Sequence, residues 1–199
     1  LVIAFQARHP NARVALTSTE RYVDLLREDI DVAFRIGPHA DSTLTVRTFA
    51  TYGIHLVAST AYVAGAPPIR TPADLASHRA IVFGTDCAPQ TWSLTPLDRL
   101  TGRAAGSVTV TPHLALNDFS GILSATLAGA GISRVPSILC VEDVASGRLV
   151  RVLPHWSPGS DSISAITLGR RNTSRLQRLF LDHCADHLPT RLAERQVRG

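Results

Sequence analysis

Asn117-Asp-Phe-Ser-Gly-Ile-Leu-Ser-Ala-Thr-Leu-Ala-Gly-Ala-Gly-Ile-Ser-Arg-Val-Pro-Ser-Ile-Leu-Cys-Val-Glu-Asp-Val-Ala145 is the stretch that decides the fold class of this chain. Asn117-Asp118 brings short polar side chains of the kind that bond the free N–H groups at the start of a helix. Phe119, Ile122, Leu123, Ala125, Thr126 and Leu127 continue that helix with a mostly small or apolar face. Gly129-Ala-Gly131 ends it, because a left-handed residue closes a helix at low cost only when it is glycine. Ile132 to Val135 then resumes as a strand, and residues 137–145 read as a second helix closed by Gly147. Helix, strand and helix joined by short turns is the grammar of a layered α/β protein.

The same alternation extends in both directions. Residues 1–9 read as a helix closed by Pro10, and 12–16 as a short strand with Val14 and Leu16 on one face. Thr17-Ser18-Thr19-Glu20 fits a capping box and predicts a helix through Tyr22, Leu25 and Leu26. Residues 30–36 form a nearly continuous apolar run ended by Gly37-Pro38, the pattern of a strand covered on both faces. Residues 45–50 and 54–58 read as two strands, after which Ser59 caps a short helix through Tyr62 and Val63. Thr71-Pro-Ala-Asp74 repeats the helix-start pattern, with Pro at the first helical position. Strands follow at 81–83, 92–94 and 108–111, with a loop at 84–90. Beyond Gly147, 149–153 and 163–168 are strands, and Thr173 or Ser174 caps a last helix carrying Leu176, Leu179, Phe180, His183 and Leu188. The expectation is two α/β lobes with mostly parallel pairing, divided near the Gly/Pro-rich passage at 65–72.

Composition narrows the function. The 199 residues are 45% hydrophobic and 18% charged, which is globular rather than disordered. All 20 basic residues are Arg, so Arg here carries less meaning as a bidentate recognition residue than it would in a mixed chain. The net charge of +4 is local: residues 170–199 hold seven Arg against three carboxylates, and the remainder is balanced. A body that neutral does not predict a surface able to track a phosphate backbone. The apolar runs are far shorter than a membrane span. Cys87, Cys140 and Cys184 are odd in number and scattered, which predicts a reducing, cytoplasmic setting and no disulfide framework. With no Met in the chain, Leu1 is expected to lie inside a longer protein.

Several stretches together resemble the effector-binding domain of LysR-type transcriptional regulators. They are Tyr22-Val-Asp-Leu-Leu-Arg-Glu-Asp-Ile-Asp-Val-Ala-Phe-Arg-Ile-Gly-Pro38, Asp41-Ser-Thr-Leu-Thr-Val-Arg47, Leu56-Val-Ala-Ser-Thr-Ala-Tyr62 and Arg70-Thr-Pro-Ala-Asp-Leu75. Asn117-Asp118, Leu127-Ala-Gly-Ala-Gly-Ile132, Val135-Pro136, Gly147-Arg-Leu-Val-Arg-Val-Leu-Pro154, Trp156 and Arg170-Arg171 complete the set. The matches keep their order along nearly the whole chain. The resemblance implies two Rossmann-like lobes of the periplasmic-binding-protein type II-like kind. Lobe I would be 1–71 plus 162–199 and lobe II 72–161, with the N-terminal winged helix-turn-helix absent from this segment. The family's usual first strand, ahead of the helix at Leu1, would be absent too. It also implies a bacterial homodimer or tetramer that binds a small-molecule effector between the lobes and meets DNA only through the missing domain. Helix 1–9 with residues 12–16 is the expected side of the dimer contact.

On that reading an effector sits where helix N-termini converge, which favours an anion such as a carboxylate. By the resemblance, Ser18 and Thr19 contact the effector from lobe I, and Asn117 and Asp118 from lobe II. Arg35 and Ile36 lie at the end of a lobe I strand, Thr85 in a rim loop, and Trp92 is a candidate apolar wall. Each has a plainer reading: Ser18 and Asn117 are ordinary caps, Arg35 an ion-pairing residue, Trp92 a core residue. Asp118 would repel an anion, which admits an effector bearing a donor or an amine instead. His183 and His187 stand one helical turn apart without a third ligand, so no metal site is predicted. Gly129-Ala-Gly131 is half of a dinucleotide fingerprint in inverted context, and no cofactor is expected. No nucleophile motif appears, so an enzyme is not expected. A free solute-binding protein of the same fold, a lyase or deaminase on this scaffold, and a dimerisation module with a vestigial pocket are the other readings.

Overall fold

The computed structural model describes residues 1–199 except 20, 22, 38–43, 99–101, 103, 170–172 and 198–199, and the side chains of 191 and 193–197 are not described. The chain forms two compact units, residues 1–51 with 161–194 and residues 52–160 with 195–199. It leaves the first unit inside a strand, upstream of the Gly/Pro-rich passage.

In the first unit, helix α1 (Val2–Arg8) lays Phe5 against helix α5 (Arg175–Val197). The Phe5 ring meets Phe180 edge-on at 5.0 Å, His183 at 5.6 Å and His9 at 4.6 Å between centroids. His183 donates through Nε2 to the Leu1 carbonyl at 3.3 Å, and burial holds its pKa below the usual imidazole value. Ser174 caps α5 in both directions with Gln177: the Gln177 N–H donates to Ser174 Oγ at 3.1 Å, and the Ser174 N–H to Gln177 Oε1 at 3.3 Å. Strand β1 (Ala33–Ile36) pairs antiparallel with β10 (Ser160–Thr167), Ala33 opposite Ile166.

Three expectations for this unit fail. Residues 12–16 form no strand, and Val14 and Leu16 stand exposed: their alternation has no described strand beside it to pair with. Residues 17–19 have no regular secondary structure and are exposed rather than starting a helix, and Glu20 and Tyr22 lie outside the described residues. A single turn forms later, where Asp24 Oδ1 accepts the N–H groups of Leu26 and Arg27 at 3.1 Å. It stops at Asp29, whose φ is +53°. Strand 30–36 shortens to four residues and is not covered on both faces, since Phe34 and Ile36 are 41% and 54% exposed. Pro38, residues 41–43 and Arg170-Arg171 lie outside the described residues.

Residues 45–50 and 54–58 are one continuous strand, β2 (Thr45–Ser59). Thr51-Tyr52-Gly53 reads as a break because glycine usually interrupts a strand, yet the backbone there stays extended and Tyr52 is buried. In the second unit β2 pairs antiparallel with β7 (Ile132–Pro136) and β8 (Leu149–Arg151). Strand β3 (Ala80–Phe83) pairs parallel with both β7 and β6 (Pro112–Leu116). A second sheet joins β4 (Gln90–Pro96), β5 (Gly106–Val110) and β9 (Trp156–Ser157) by antiparallel ladders. The expected mostly parallel pairing is therefore wrong: β3 is parallel to its neighbours, whereas β1–β10, β2–β7, β2–β8, β4–β5 and β4–β9 are antiparallel. Hydropathy reports burial of a strand, not the direction of its partner.

The period of two in β2 divides the core. Leu56 and Ala58 face Leu75, Ala80, Val82, Trp92, Leu94, Val108, Val110 and Ile132 on one side of the sheet. Val57 faces Ile81, Ile122, Val135, Cys140 and Leu149 on the other, under helices α3 (Phe119–Leu127) and α4 (Ser137–Ala145). The short α2 (Thr60–Ala64) begins as expected, with Ser59 Oγ accepting the Tyr62 N–H at 3.1 Å. Thr71 and Asp74 form a full capping box on a 3-10 turn, Pro72–Ser77. Backbone N–H groups of Arg70 and Thr71, each at 2.8 Å, hold the Asp74 carboxyl below its usual pKa.

Gly131 explains the glycine pair that ends α3. A Cβ at position 131 would lie 2.3 Å from the Arg79 carbonyl oxygen, the same oxygen that accepts the Ile132 N–H at 2.8 Å. Gly131 is thus a steric requirement of the α3–β7 turn, and Gly129 meets its left-handed backbone, φ +80°.

Candidate functional site

Three candidate residues of the second unit, Thr85, Asn117 and Asp118, follow strands that end at one edge of its sheet. Because β3 and β6 are parallel, with Phe83 opposite Leu116, the segments that follow them leave at the same end. Thr85 follows β3 and Asn117-Asp118 follows β6, and the Gly84 N–H donates to the Leu116 carbonyl at 3.0 Å to tie the two turns together. All three side chains are exposed. The carboxyl ends of parallel strands are where open α/β sheets receive ligands, since helix N-termini and free turn groups collect there.

Asp118 is the N-cap of α3. Its Oδ1 accepts the Gly121 N–H at 2.6 Å, and its backbone is extended at φ −141°. Asn117, named with it as the start of this helix, lies one residue outside the cap. Capping satisfies one of the four N–H groups that the first turn leaves open, and it places a carboxylate at the positive end of the helix. Gln90 pins the other side of the edge by donating through Nε2 to the Phe83 carbonyl at 3.4 Å. Two aromatic rings that no sequence motif marks also lie here: Phe83 and Phe119 contact each other at 5.0 Å between centroids, tilted by 34°. Their signal was available, because each adjoins a candidate polar turn, Gly84-Thr85 or Asn117-Asp118.

The other candidates are placed differently. Trp92 is 2% exposed, sits opposite Val108 in the β4–β5 ladder, and belongs to the core. Arg35 is half-buried and Ile36 exposed at the end of β1 in the first unit. Ser18 and Thr19 are exposed in irregular chain, and Thr19 Oγ1 accepts the Arg21 N–H at 3.4 Å. The helix N-terminus that was to present them is not formed by residues 17–19.

The reactive-looking groups elsewhere are held in their quiet forms. Cys140 Sγ lies 3.9 Å from His55 Nδ1 and 3.5 Å from the Ser137 carbonyl oxygen. Burial pushes the Cys140 thiol up to about 11, and burial with the nearby Arg151 holds His55 down to about 4. A neutral imidazole beside a protonated thiol is the reverse of an activated cysteine pair. Burial likewise raises the Cys184 thiol to about 11. His183 and His187 stack edge-on at 4.4 Å, and among the described residues no group of three or more His, Cys, Asp or Glu is arranged to hold a metal ion.

Comparison with known proteins gives this geometry its family. The model of the LysR substrate binding domain matches residues 1–189. The chain belongs to the LysR substrate binding domain family. The HTH-type transcriptional regulator PtxR of Pseudomonas aeruginosa is 33% identical over 194 residues, covering 96% of this chain and 61% of its own length. CrgA of Neisseria meningitidis is 27% identical over 194 residues, with 96% and 62% covered. This LysR substrate binding domain thus spans about three-fifths of the curated regulators it matches. Among solved structures it is similar to the regulatory domain of CrgA from Neisseria meningitidis, with TM-score 0.77, 27% identity, and 94% of this chain and 89% of that one covered. The regulatory domain of a C227S variant of AphB from Vibrio vulnificus gives the same values. The fold class is accordingly α/β, two-lobed and periplasmic-binding-protein type II-like. Among the described residues no helix is long and apolar enough to cross a membrane.

Proposed function

We propose that this LysR substrate binding domain is the effector-sensing part of a bacterial transcriptional regulator, acting in the cytoplasm as a homodimer or tetramer. The observation that carries the reading is the convergence of Thr85, Asn117 and Asp118 at the carboxyl edge of β3 and β6, in a chain of this family. The effector is a small molecule held between lobe I, residues 1–71 with 162–199, and lobe II, residues 72–161. Thr85, Asn117 and Asp118 meet it from lobe II, and Ser18, Thr19, Arg35 and Ile36 from lobe I. Binding biases the lobes toward one arrangement, by no more than the difference in the effector's affinity for the two. A DNA-binding domain elsewhere in the protein reads that bias, so this domain needs neither catalysis nor a cofactor. Bacterial regulators as relatives, and the quiet protonation states of Cys140 and His55, both favour sensing over chemistry.

Native mass spectrometry of the purified domain, after exposure to a bacterial metabolite extract, tests the reading. A retained small molecule released by Asn117→Ala and by Ser18→Ala is the expected result. Retention unchanged in both variants would remove the site. Chemical turnover of the retained molecule on long incubation would replace sensing with catalysis.

A further inference from the structure

The two rings at the sheet edge carry the argument further. Strand β3 buries Ala80, Ile81 and Val82, but Phe83, its last residue, is 41% exposed. Its backbone is held on both sides, by Gln90 Nε2 at the Phe83 carbonyl and by the Gly84 N–H at the Leu116 carbonyl. Phe119 supports the ring from α3 at 5.0 Å. An aromatic side chain that is exposed yet fixed by its backbone and a ring neighbour has lost its freedom in advance, so stacking a second ring on it costs little ordering. The two segments that carry the rings hold charge of one sign. Segments 83–90 and 116–121 contain the carboxylates Asp86 and Asp118 and no Arg, in a chain whose only fixed cation is Arg. Asp118 is already committed to α3, with Oδ1 on the Gly121 N–H, so its negative charge is fixed at the site. An anion arriving here would meet that charge, whereas an ammonium group would be attracted to it.

We infer that the lobe II half of the site takes an aromatic ring bearing an amine, the ring stacking on Phe83 and Phe119 and the ammonium group facing Asp118. This rests on the effector-sensing reading and names its ligand class, an aromatic amine in place of the carboxylate that helix N-termini alone would favour.

The test uses three probes on the chain with ¹H–¹⁵N spectra: 2-phenylethylamine, hexylamine and phenylacetate. The amides of residues 84–85 and 117–119 shift with 2-phenylethylamine, which binds roughly 2- to 12-fold more tightly than hexylamine, the range that one aromatic pair provides. Phe83→Leu, which keeps an apolar side chain, removes that preference without weakening hexylamine, and Phe119→Leu does the same if Phe83→Leu does not fold. Asp118→Asn, which still caps α3, weakens both amines. Phenylacetate or hexylamine binding as tightly as 2-phenylethylamine at these amides overturns the inference while leaving the effector-sensing reading in place. No shift at 84–85 or 117–119 with any probe overturns the inference and takes the lobe II half of the effector site with it.

Discussion

Asp118 separates the cost of a cap from the gain of a site. Its Oδ1 accepts the Gly121 N–H at 2.6 Å, and α3 is nine residues long with Ile122 and Thr126 fully buried beneath it. Removing an N-cap carboxylate costs about 0.5–2 kcal/mol, and Asn or Ser at the same position restores most of it. A short helix whose buried face holds only two such residues frays from its first turn, so Asp118→Ala is expected near the middle of that range, about 1 kcal/mol. In a domain of this size 1 kcal/mol corresponds to a fall in Tm of about 2–4 °C. Asp118→Asn and Asp118→Ser should stay within about 0.3 kcal/mol of the parent, because both side-chain oxygens can accept the same N–H. Urea titrations followed by far-UV circular dichroism give the comparison directly, as shifts in midpoint at constant slope. Loss of stability in Asp118→Asn equal to that in Asp118→Ala would mean that the charge, not the acceptor geometry, holds α3, and the capping account would be wrong. An unchanged Asp118→Ala would refute it as well.

Other outcomes follow from the same structure. Gly131→Ala forces a Cβ to within 2.3 Å of the Arg79 carbonyl oxygen and is expected to cost about 3 kcal/mol or prevent soluble expression; a stable variant would show that the α3–β7 turn has room. Trp92→Ala empties a core position that is 2% exposed and should cost about 3–5 kcal/mol in chemical denaturation, far more than an exposed ligand wall would. Burial and Arg151 hold His55 down to about 4 from a usual value near 6.5, so the unfolded chain binds a proton more readily than the folded one in that window. Stability should therefore fall as the pH drops from 6.5 to 4, and His55→Gln should show a shallower decline than the parent in the same titration; parallel curves would place His55 in water.

What was legible in the sequence follows the range of the interaction that makes it. Caps and closing glycines act within a few residues, so α3, β7 and α4 and the Thr71–Asp74 box were readable one residue at a time. Pairing acts across the chain, and local residue patterns do not carry it. Residues 12–16 alternate as a strand should, but they have no described partner. Gly53 reads as a break in β2, although the strand runs unbroken from Thr45 to Ser59. β6 begins at Pro112, which reads against a strand in sequence but is tolerated at the end position β6 occupies in its sheet. The lobe II candidates Thr85, Asn117 and Asp118 rest on the family resemblance alone in the sequence, and that two parallel strands deliver them to one edge is visible only in the structure. Phe83 and Phe119 were passed over since an isolated Phe in sequence is most often core, and only the structure shows that one of them is 41% exposed beside those polar turns.

Amide chemical-shift mapping of the domain against fractions of a bacterial metabolite extract tests the central claim most directly. The account predicts that one fraction moves two groups of amides together, those of Ser18, Thr19, Arg35 and Ile36 and those of Thr85, Asn117 and Asp118. A binding fraction whose shifts avoid residues 85 and 117–118 altogether would contradict it.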